Sequence, residues 1–281
     1  MINTLQLAWA NVLRNRRRAW STILIAAVGC AAMLIAGGFA LYTYESLREA
    51  AARESGHLIL AERDYFRRDE EKPLQYGLSG APEWIAQLNA DPEIRRALPR
   101  LQFSGLISNG DKTMIFMGQG IDALGEFAER GVFLRLEHGQ LFTGAEAGLP
   151  RVLLGRDLAR SLGAAVGSGL TLIGTTTDDT MNALDVEVGG IVSSGVPEVD
   201  KRLVYAPLAA VQQLLRTDKV STLAVYLTDL ERVPARLATF RAEDPAHAFR
   251  PWWEEAFYYN AVRELYNRIF GLLGLIIAAL V

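Results

Sequence analysis

The chain has 281 residues, of which 50% are hydrophobic and 22% are charged, and its mean hydropathy is +0.13. That hydropathy is high for a soluble protein, whereas the charged fraction requires a large water-exposed part, so the composition indicates a membrane protein with a substantial extracytoplasmic region. The 29 Lys and Arg residues nearly balance the 32 Asp and Glu residues, which excludes the basic surplus typical of nucleic-acid binding.

Residues 1–21 predict an amphipathic helix on the cytoplasmic surface of a membrane. Apolar residues recur at helical spacing between positions 5 and 13, and four arginines follow them: Arg14, Arg16, Arg17 and Arg18. Positive charge at this end suits both the helix dipole and an anionic inner leaflet. Membrane lipid is therefore an expected partner of this segment.

Residues 22–42 predict the first transmembrane helix. This run contains no charged residue, and its 21 positions reach about 30 Å, the thickness of the hydrocarbon core of a bilayer. A cleaved signal peptide also begins with arginines, but its apolar core is only about 7–15 residues long, so an uncleaved span is favoured. The arginines before the span place the N-terminus in the cytoplasm and residues 43–268 outside.

The outer region is predicted to be mixed α and β, so the fold class is an α+β membrane protein. A helical pattern continues from the span until Gly56 interrupts it. Further helices are predicted at 82–88, 92–97, 156–162, 207–215 and 231–243. Strands are predicted at 57–61, 101–108, 113–119, 152–154, 169–174, 185–192, 202–205 and 222–227. The sequence Asn109-Gly110-Asp111 is a hairpin signal between the second and third strands.

Residues 269–281 predict the start of a second transmembrane helix. The run is uncharged and ends without a basic anchor, so we expect the natural chain to continue beyond Val281. Its visible length also allows a buried helix, but the aromatic residues between 252 and 266 are typical of a membrane interface. Four residues at helical spacing predict a stalk that couples this span to the outer region: Tyr258, Val262, Leu265 and Ile269.

The search for catalytic motifs indicates that the chain is not an enzyme. The three histidines are far apart in sequence and lack a second ligand at metal-binding spacing. Neither a G-x-S-x-G nucleophile turn nor a G-x-x-x-x-G-K-[ST] phosphate loop occurs. Gly118 to Ala123 fits the G-x-G-x-x-A dinucleotide pattern, but no acidic residue caps a following predicted strand about 20 residues on, so a plain turn is favoured. No cofactor, metal or catalytic residue is expected in this chain.

Three segments of the chain resemble permeases of the MacB and Lol type, the mechanotransmission (type VII) ABC transporters. Residues 8–18 look like the short helix and arginine cluster before their first span, and residues 55–59 look like their entry into the outer domain. Residues 152–172 are similar to the strand, helix, glycine turn and strand of the family. We call five positions of this last segment the signature residues: Gly155, Leu158, Leu162, Gly163 and Gly167.

The resemblance implies a fold and a set of partners. Such permeases have one span before a large periplasmic domain and three after it. The periplasmic domain has a porter-like part of β-α-β units, here expected at 44–100 and 208–250, and a β-rich insertion, here expected at 101–207. Two permease subunits, identical or different, pair with a cytoplasmic ATPase dimer that binds ATP and Mg²⁺, and a periplasmic or outer-membrane partner is a further implication. The expected location is a bacterial inner membrane.

The resemblance also implies mechanical coupling. ATP hydrolysis on the ATPase would move the periplasmic domains against an amphiphilic substrate such as a lipoprotein, a lipid or a peptide, in lipoprotein release or efflux. Two features depart from relatives: no ATPase is fused before the first span, so the ATPase is expected as a separate chain, and residues 174–183 lack the proline-containing hook with which one Lol subunit captures its chaperone. Chaperone capture by that route is not expected.

A second hypothesis fits the same arrangement of spans. A membrane-anchored sensor would also place an extracytoplasmic ligand-binding domain between two flanking helices. Two further spans after Val281 would favour the permease, whereas a long soluble helix leading to a kinase or cyclase would favour the sensor.

Overall fold

The computed structural model describes residues 14–68, 74–144 and 148–280. They divide into two compact units, one formed by the segments up to Glu49 and from Phe257 onward, the other by Ala50–Ala256. We call the first the helical unit and the second the outer unit. Most of the amphipathic helix predicted at 1–21 lies outside the described residues.

The helical unit contains two long helices. Helix α1 (Arg16–Ser55) has 40 residues, of which the last six belong to the outer unit, and α10 (Phe257–Leu280) has 24. Among the described residues, α1 is the one helix that is both long and apolar enough to cross a membrane. The Tyr44 hydroxyl donates to Asn267 Oδ1 at 2.8 Å, and the Tyr44 and Tyr266 rings meet edge to face. A polar and an aromatic contact thus join the two helices.

The first part of the outer unit is a four-stranded antiparallel sheet in the order β10-β1-β9-β2. Its strands are β1 (Leu58–Glu62), β2 (Ile94–Ser108), β9 (Thr222–Leu227) and β10 (His247–Pro251). The accompanying helices are α2 (Tyr65–Arg68), α3 (Ala81–Asn89), α8 (Val233–Glu243) and α9 (Trp252–Glu255). Strand and helix therefore follow each other in the β-α-β-β-α-β order of ferredoxin-like folds.

The second part is a closed ring of six strands inserted between β2 and β9. The ring runs β2-β3-β8-β5-β7-β6 and returns to β2, so we call it the barrel. Its further strands are β3 (Thr113–Ile121), β5 (Arg151–Gly155), β6 (Gly169–Thr175), β7 (Met181–Ser193) and β8 (Leu203–Pro207), and β4 (Arg135–Gly139) pairs with β7 outside the ring. The barrel's helices are α4 (Ala123–Arg130), α5 (Arg156–Leu162), α6 (Pro197–Asp200) and α7 (Leu208–Leu215).

Strand β2 is shared by both parts. Its residues from Ile94 to Arg100 pair with β9, and those from Gly105 to Ser108 pair with β6. The barrel interior is filled by alternating apolar residues such as Ile107, Phe116 and Leu172, which are fully buried. Helix α7 adds Val211, Leu214 and Leu215 to this core, although the division inferred from the sequence assigns residues 208–250 to the porter-like part.

Two local predictions from the sequence are wrong. Residues 92–97, predicted as a helix, end a turn and begin β2 at Ile94, because pairing with β9 satisfies their backbone groups in an extended conformation. Residues 118–123 are predicted as a plain turn, but β3, whose predicted range ends at 119, continues to Ile121, and Ala123 begins α4. An added Cβ at Gly118 would lie 2.6 Å from the Phe103 ring, and one at Gly120 would lie 2.9 Å from Val211 Cβ. These glycines therefore allow close packing.

We predict that Gly105→Ala weakens closure of the barrel. An added Cβ would lie 2.0 Å from the carbonyl oxygen of Ile173 on β6, so the two strands must separate, and the free energy of unfolding should fall by about 1–3 kcal/mol. Urea unfolding followed by tryptophan fluorescence measures this. Gly169→Ala is the matched control, because no atom lies within 4 Å of the added Cβ. Equal stability of the two variants would contradict the closed ring.

Candidate functional site

The C-terminal end of α1 is fixed by hydrogen bonds from the outer unit's own strands. The last carbonyl groups of a helix have no partner within the helix. Here the Arg53 carbonyl accepts from the Tyr226 hydroxyl at 2.8 Å, and the Ser55 carbonyl accepts from Arg100 Nη1 at 2.9 Å. Arg100 lies on β2 and Tyr226 on β9. Two neighbouring strands of the sheet, β2 and β9, therefore bind the same helix end.

Arg100 is in turn bound by a buried carboxylate. Its Nε and Nη2 donate to the two oxygens of Glu126 at 2.6 and 2.8 Å, a bidentate pair. Arg130, one helical turn after Glu126 on α4, donates its Nε to the same carboxylate at 3.0 Å. The side chain of Glu126 is completely buried and the two arginines are nearly so. One carboxylate thus lies between two guanidinium groups, away from water.

Two tyrosines complete this cluster. Tyr226 accepts from Arg100 Nη2 at 2.9 Å, and Tyr205 on β8 accepts from Arg130 Nη1 at 2.5 Å. We call the five residues the buried joint: Arg100, Glu126, Arg130, Tyr205 and Tyr226. The joint connects the end of α1 to β2, β9, α4 and β8, and so to both the sheet and the barrel.

The charges in the joint stabilise one another. Burial by itself raises the pKa of Glu126, but Arg100 and Arg130 outweigh it and lower that pKa below its usual value. Burial also raises the pKa of Tyr226 and of Tyr205, so both hydroxyls stay neutral. The network therefore keeps its protonation state across the physiological pH range, as a structural connection requires.

The turn from α1 into β1 is equally constrained. Gly56 has a φ of +89°, and an added Cβ would lie 2.8 Å from that of Ala224 on β9. The next residue, His57, is buried, and its Nδ1 accepts from the Leu227 amide at 3.0 Å. Burial, together with the charges of Arg95 and Arg53, lowers the pKa of His57 to about 4. A neutral His57 is required, because the acceptor nitrogen cannot carry a proton.

A second set of contacts surrounds the joint on α4. Arg53 Nη1 donates to the Glu129 carbonyl at 3.2 Å, and Arg95 forms an ion pair with the Glu129 carboxylate. Helix α1 is therefore held to α4 by the Arg53 side chain, in addition to the bonds from its terminal carbonyls to β2 and β9. None of these groups is positioned as a nucleophile beside a base, and in the described ranges no group of three His, Cys, Asp or Glu residues lies close enough to bind a metal. The arrangement fixes the end of α1 to the sheet and to α4.

The residues predicted from the sequence lie in three other places. The orienting arginines are exposed at or just before the start of α1: Arg14, Arg16, Arg17 and Arg18. Of the predicted stalk face on α10, Val262 is half-buried, and Leu265 and Ile269 are exposed, whereas Tyr266 contacts Tyr44. Tyr258 lies in the first turn of α10.

The signature residues form a packing unit of the barrel. Leu158 and Leu162 on α5 are buried in its core. Gly163 ends the helix with a φ of +67°, and Gly167 makes the following turn with a φ of +88°. Gly155 lets the backbone of Asp200 approach closely, since an added Cβ would lie 2.2 Å from its carbonyl oxygen.

We predict that Arg100→Ala is strongly destabilising. The substitution leaves the Glu126 carboxylate buried with one partner fewer, which costs about 3–5 kcal/mol of unfolding free energy. Arg151→Ala is the matched control, because Arg151 pairs with Glu187 on the exposed surface of the barrel and such pairs contribute about 0–1 kcal/mol. Urea unfolding in detergent compares the two. Similar losses would show that the joint is not buried in solution.

We predict that His57 makes the protein less stable in acid. Its folded pKa is about 4 and its unfolded pKa about 6.5, so the unfolded state binds more protons between these values. The stability that neutral His57 provides is complete above pH 6.5 and is lost as the pH falls toward 4, by about 3 kcal/mol in all. His57→Gln retains an acceptor and removes this titration, so its unfolding free energy should change less over that range. Parallel pH profiles would disprove the assignment.

Comparison with known proteins identifies the fold. The family model described as the MacB-like periplasmic core domain matches residues 19–242. The periplasmic region of MacB from Actinobacillus actinomycetemcomitans has a similar structure, with a TM-score of 0.52 and 15% sequence identity over 72% of this chain and 92% of that one. The extracellular domain of the noncanonic ABC-type transporter YknZ from Gram-positive bacteria gives a TM-score of 0.49 and 13% identity over 69% and 98% of the two chains.

No curated protein matches the chain significantly in sequence. The family model nevertheless covers well over half of the chain, including the end of α1, the buried joint and the whole barrel. The chain therefore belongs to the MacB-like periplasmic core domain family, as part of a MacB-type ABC transporter permease.

Proposed function

We propose that the chain is the permease subunit that converts ATP hydrolysis by a separate cytoplasmic ATPase into motion of its periplasmic domain. In this proposal ATP and Mg²⁺ bind to the ATPase dimer, two permease subunits pair with it, and the chain itself catalyses no reaction. The motion extrudes or extracts an amphiphilic substrate at the outer face of the bacterial inner membrane.

The observation that carries the proposal is the buried joint at the end of α1. Helix α1 is continuous from the predicted span to Ser55, and its last carbonyls bind Tyr226 and Arg100. A displacement of this helix end would have to break both hydrogen bonds, of which the one to Ser55 is charge-assisted and comes from the buried guanidinium of Arg100. The outer unit would move with the helix instead, which is the requirement for mechanical coupling.

Helix α10, which follows the outer unit in the chain, supports the same proposal. Strand β10 ends at Pro251 beside Leu58 of β1, and the Trp252 amide donates to the His57 carbonyl at 3.2 Å. The chain therefore enters and leaves the outer unit at neighbouring positions. Two helices connected to neighbouring strands of one sheet are suited to act on it together.

We predict that Val262→Pro uncouples transport from ATP hydrolysis. Val262 lies inside α10, where proline removes one backbone hydrogen bond and kinks the helix at a cost of about 3 kcal/mol or more. The complete permease carrying the substitution should assemble with its ATPase and hydrolyse ATP at a near-normal rate, but lose transport. Reconstituted vesicles in which both rates are measured provide the test.

Val262→Ala is the matched control, since it shortens the same side chain and preserves the helix. It should retain transport. Normal transport by a correctly assembled Val262→Pro protein would show that α10 does not couple the two processes. ATP turnover by the purified permease without an ATPase would contradict the assignment of catalysis to a separate subunit.

A further inference from the structure

A groove on the outside of the barrel combines positive charge with apolar surface. It lies between the start of β3 and α5 and has a volume of about 580 Å³. Its charged lining residues are three cations, Arg160, Lys201 and Arg202, and one carboxylate, Asp157. The groove is therefore net positive, although the whole chain carries a net charge of -3.

Arg202 is the cation in this groove that is available to a ligand. Arg160 pairs with Asp157 at 3.0 Å and Lys201 pairs with Glu198 at 2.7 Å. The exposed Arg202 side chain forms no hydrogen bond or ion pair with any residue in the described parts of the chain. A planar guanidinium with free donors is suited to bidentate binding of a carboxylate or phosphate.

An apolar row begins in the same groove. Ile115, which lines it, is the cross-strand neighbour of Leu106, and Leu106 is the neighbour of Ile173 on β6, which in turn is the neighbour of Ala183 on β7. Ile115 is 62% and Leu106 38% exposed. Because paired residues project to the same face of a sheet, the four side chains form one line across the outside of the barrel.

The row is narrow and has a polar border along one side. The parallel line of cross-strand neighbours on one side is polar: Thr113, Ser108, Thr171 and Asp185. On the other side, Ser104 of β2 is polar, but its neighbour Met117 on β3 and Met181 on β7 are exposed apolar residues, so the row widens to two residues at its two ends. A protein partner usually covers about 800 Å² of each surface with an apolar centre, whereas a single alkyl chain needs only a narrow apolar strip. The width of the row favours an alkyl chain.

We propose that the groove and the row together bind an anionic amphiphile. Arg202, supported by Arg160 and Lys201, would bind the carboxylate or phosphate head group, and the row from Ile115 to Ala183 would cover the alkyl chain. As a description of the transported substrate class, this inference rests on the proposed function. As a binding site, it depends only on the residues of the barrel.

Photo-crosslinking tests the site in the full chain. The protein is placed in nanodiscs of zwitterionic phosphatidylcholine and irradiated with dodecanoate that carries a diazirine at its chain end, and the labelled residues are mapped by mass spectrometry. Label should appear on β6 or β7, near Ile173 and Ala183. Arg202→Glu and Ile115→Asp, both changes at exposed positions, should each reduce this label about tenfold or more.

Three controls distinguish binding at this site from nonspecific labelling and from simple anion binding. Arg216→Glu removes an exposed arginine at the end of α7, away from the groove lining, and should leave the label unchanged. A dodecyl trimethylammonium probe with the same diazirine should label these strands at least tenfold less. Neither inorganic phosphate nor oligoglutamate should displace the probe at concentrations where unlabelled dodecanoate does.

The opposite results would overturn the proposal. Equal labelling by the cationic probe, or an unchanged label in Arg202→Glu, would exclude recognition of the head group. Displacement by inorganic phosphate would show a simple anion site, and displacement by oligoglutamate would show a surface for an acidic protein. The experiment needs no ATPase, so loss of binding would leave the proposed function standing, whereas normal binding in a transporter that fails to transport would contradict that function alone.

Discussion

The buried ion pair between Arg100 and Glu126 is the interaction on which the arrangement of the outer unit depends. Removing two charges from water is costly, and the cost is offset only when every donor and acceptor is satisfied. Here satisfaction requires Ser55 at the end of α1, Tyr226 on β9 and Arg130 on α4 at the same time. A displacement of any of them would leave a donor or acceptor of the buried pair without its hydrogen-bond partner, so the joint favours one arrangement of helix, sheet and barrel.

Strand β2 connects this joint to both parts of the outer unit. Arg100 lies where β2 leaves the four-stranded sheet and enters the barrel, so a force on Ser55 acts at the boundary between the two parts. Strand β2 is already extended, and the barrel to which it belongs is closed by backbone hydrogen bonds. The sheet and the barrel are therefore joined through one strand, as the proposed mechanical coupling requires.

The proposed amphiphile site lies on the part of the molecule that such a lever would move. Its residues belong to the outside of the barrel, whereas the signature residues Leu158 and Leu162 pack in its core. Inward positions such as Leu172 build the core, and the alternate outward positions, such as Ile173, are free to bind a ligand. One short segment of sequence therefore serves stability and recognition on opposite faces, because side chains alternate along a strand.

The sequence by itself determined the features that depend on local pattern. An uncharged run defines the first span, Asn109 and Gly110 define a hairpin, and the alternation around Leu170 and Leu172 defines a buried strand. The family resemblance added the domain and its partners. The helix predicted at 92–97 was wrong because pairing with β9 overrode local preference.

The joint and the groove depend on the tertiary structure alone. Arg100 binds Ser55 over 45 positions and Glu126 over 26, and Tyr226 binds Arg53 over 173. No local pattern distinguishes a buried arginine from a surface one. The spacing of Glu126 and Arg130 resembles an ordinary exposed helix pair. Only the packing of distant strands, which removes water from this pair, gives it a structural role.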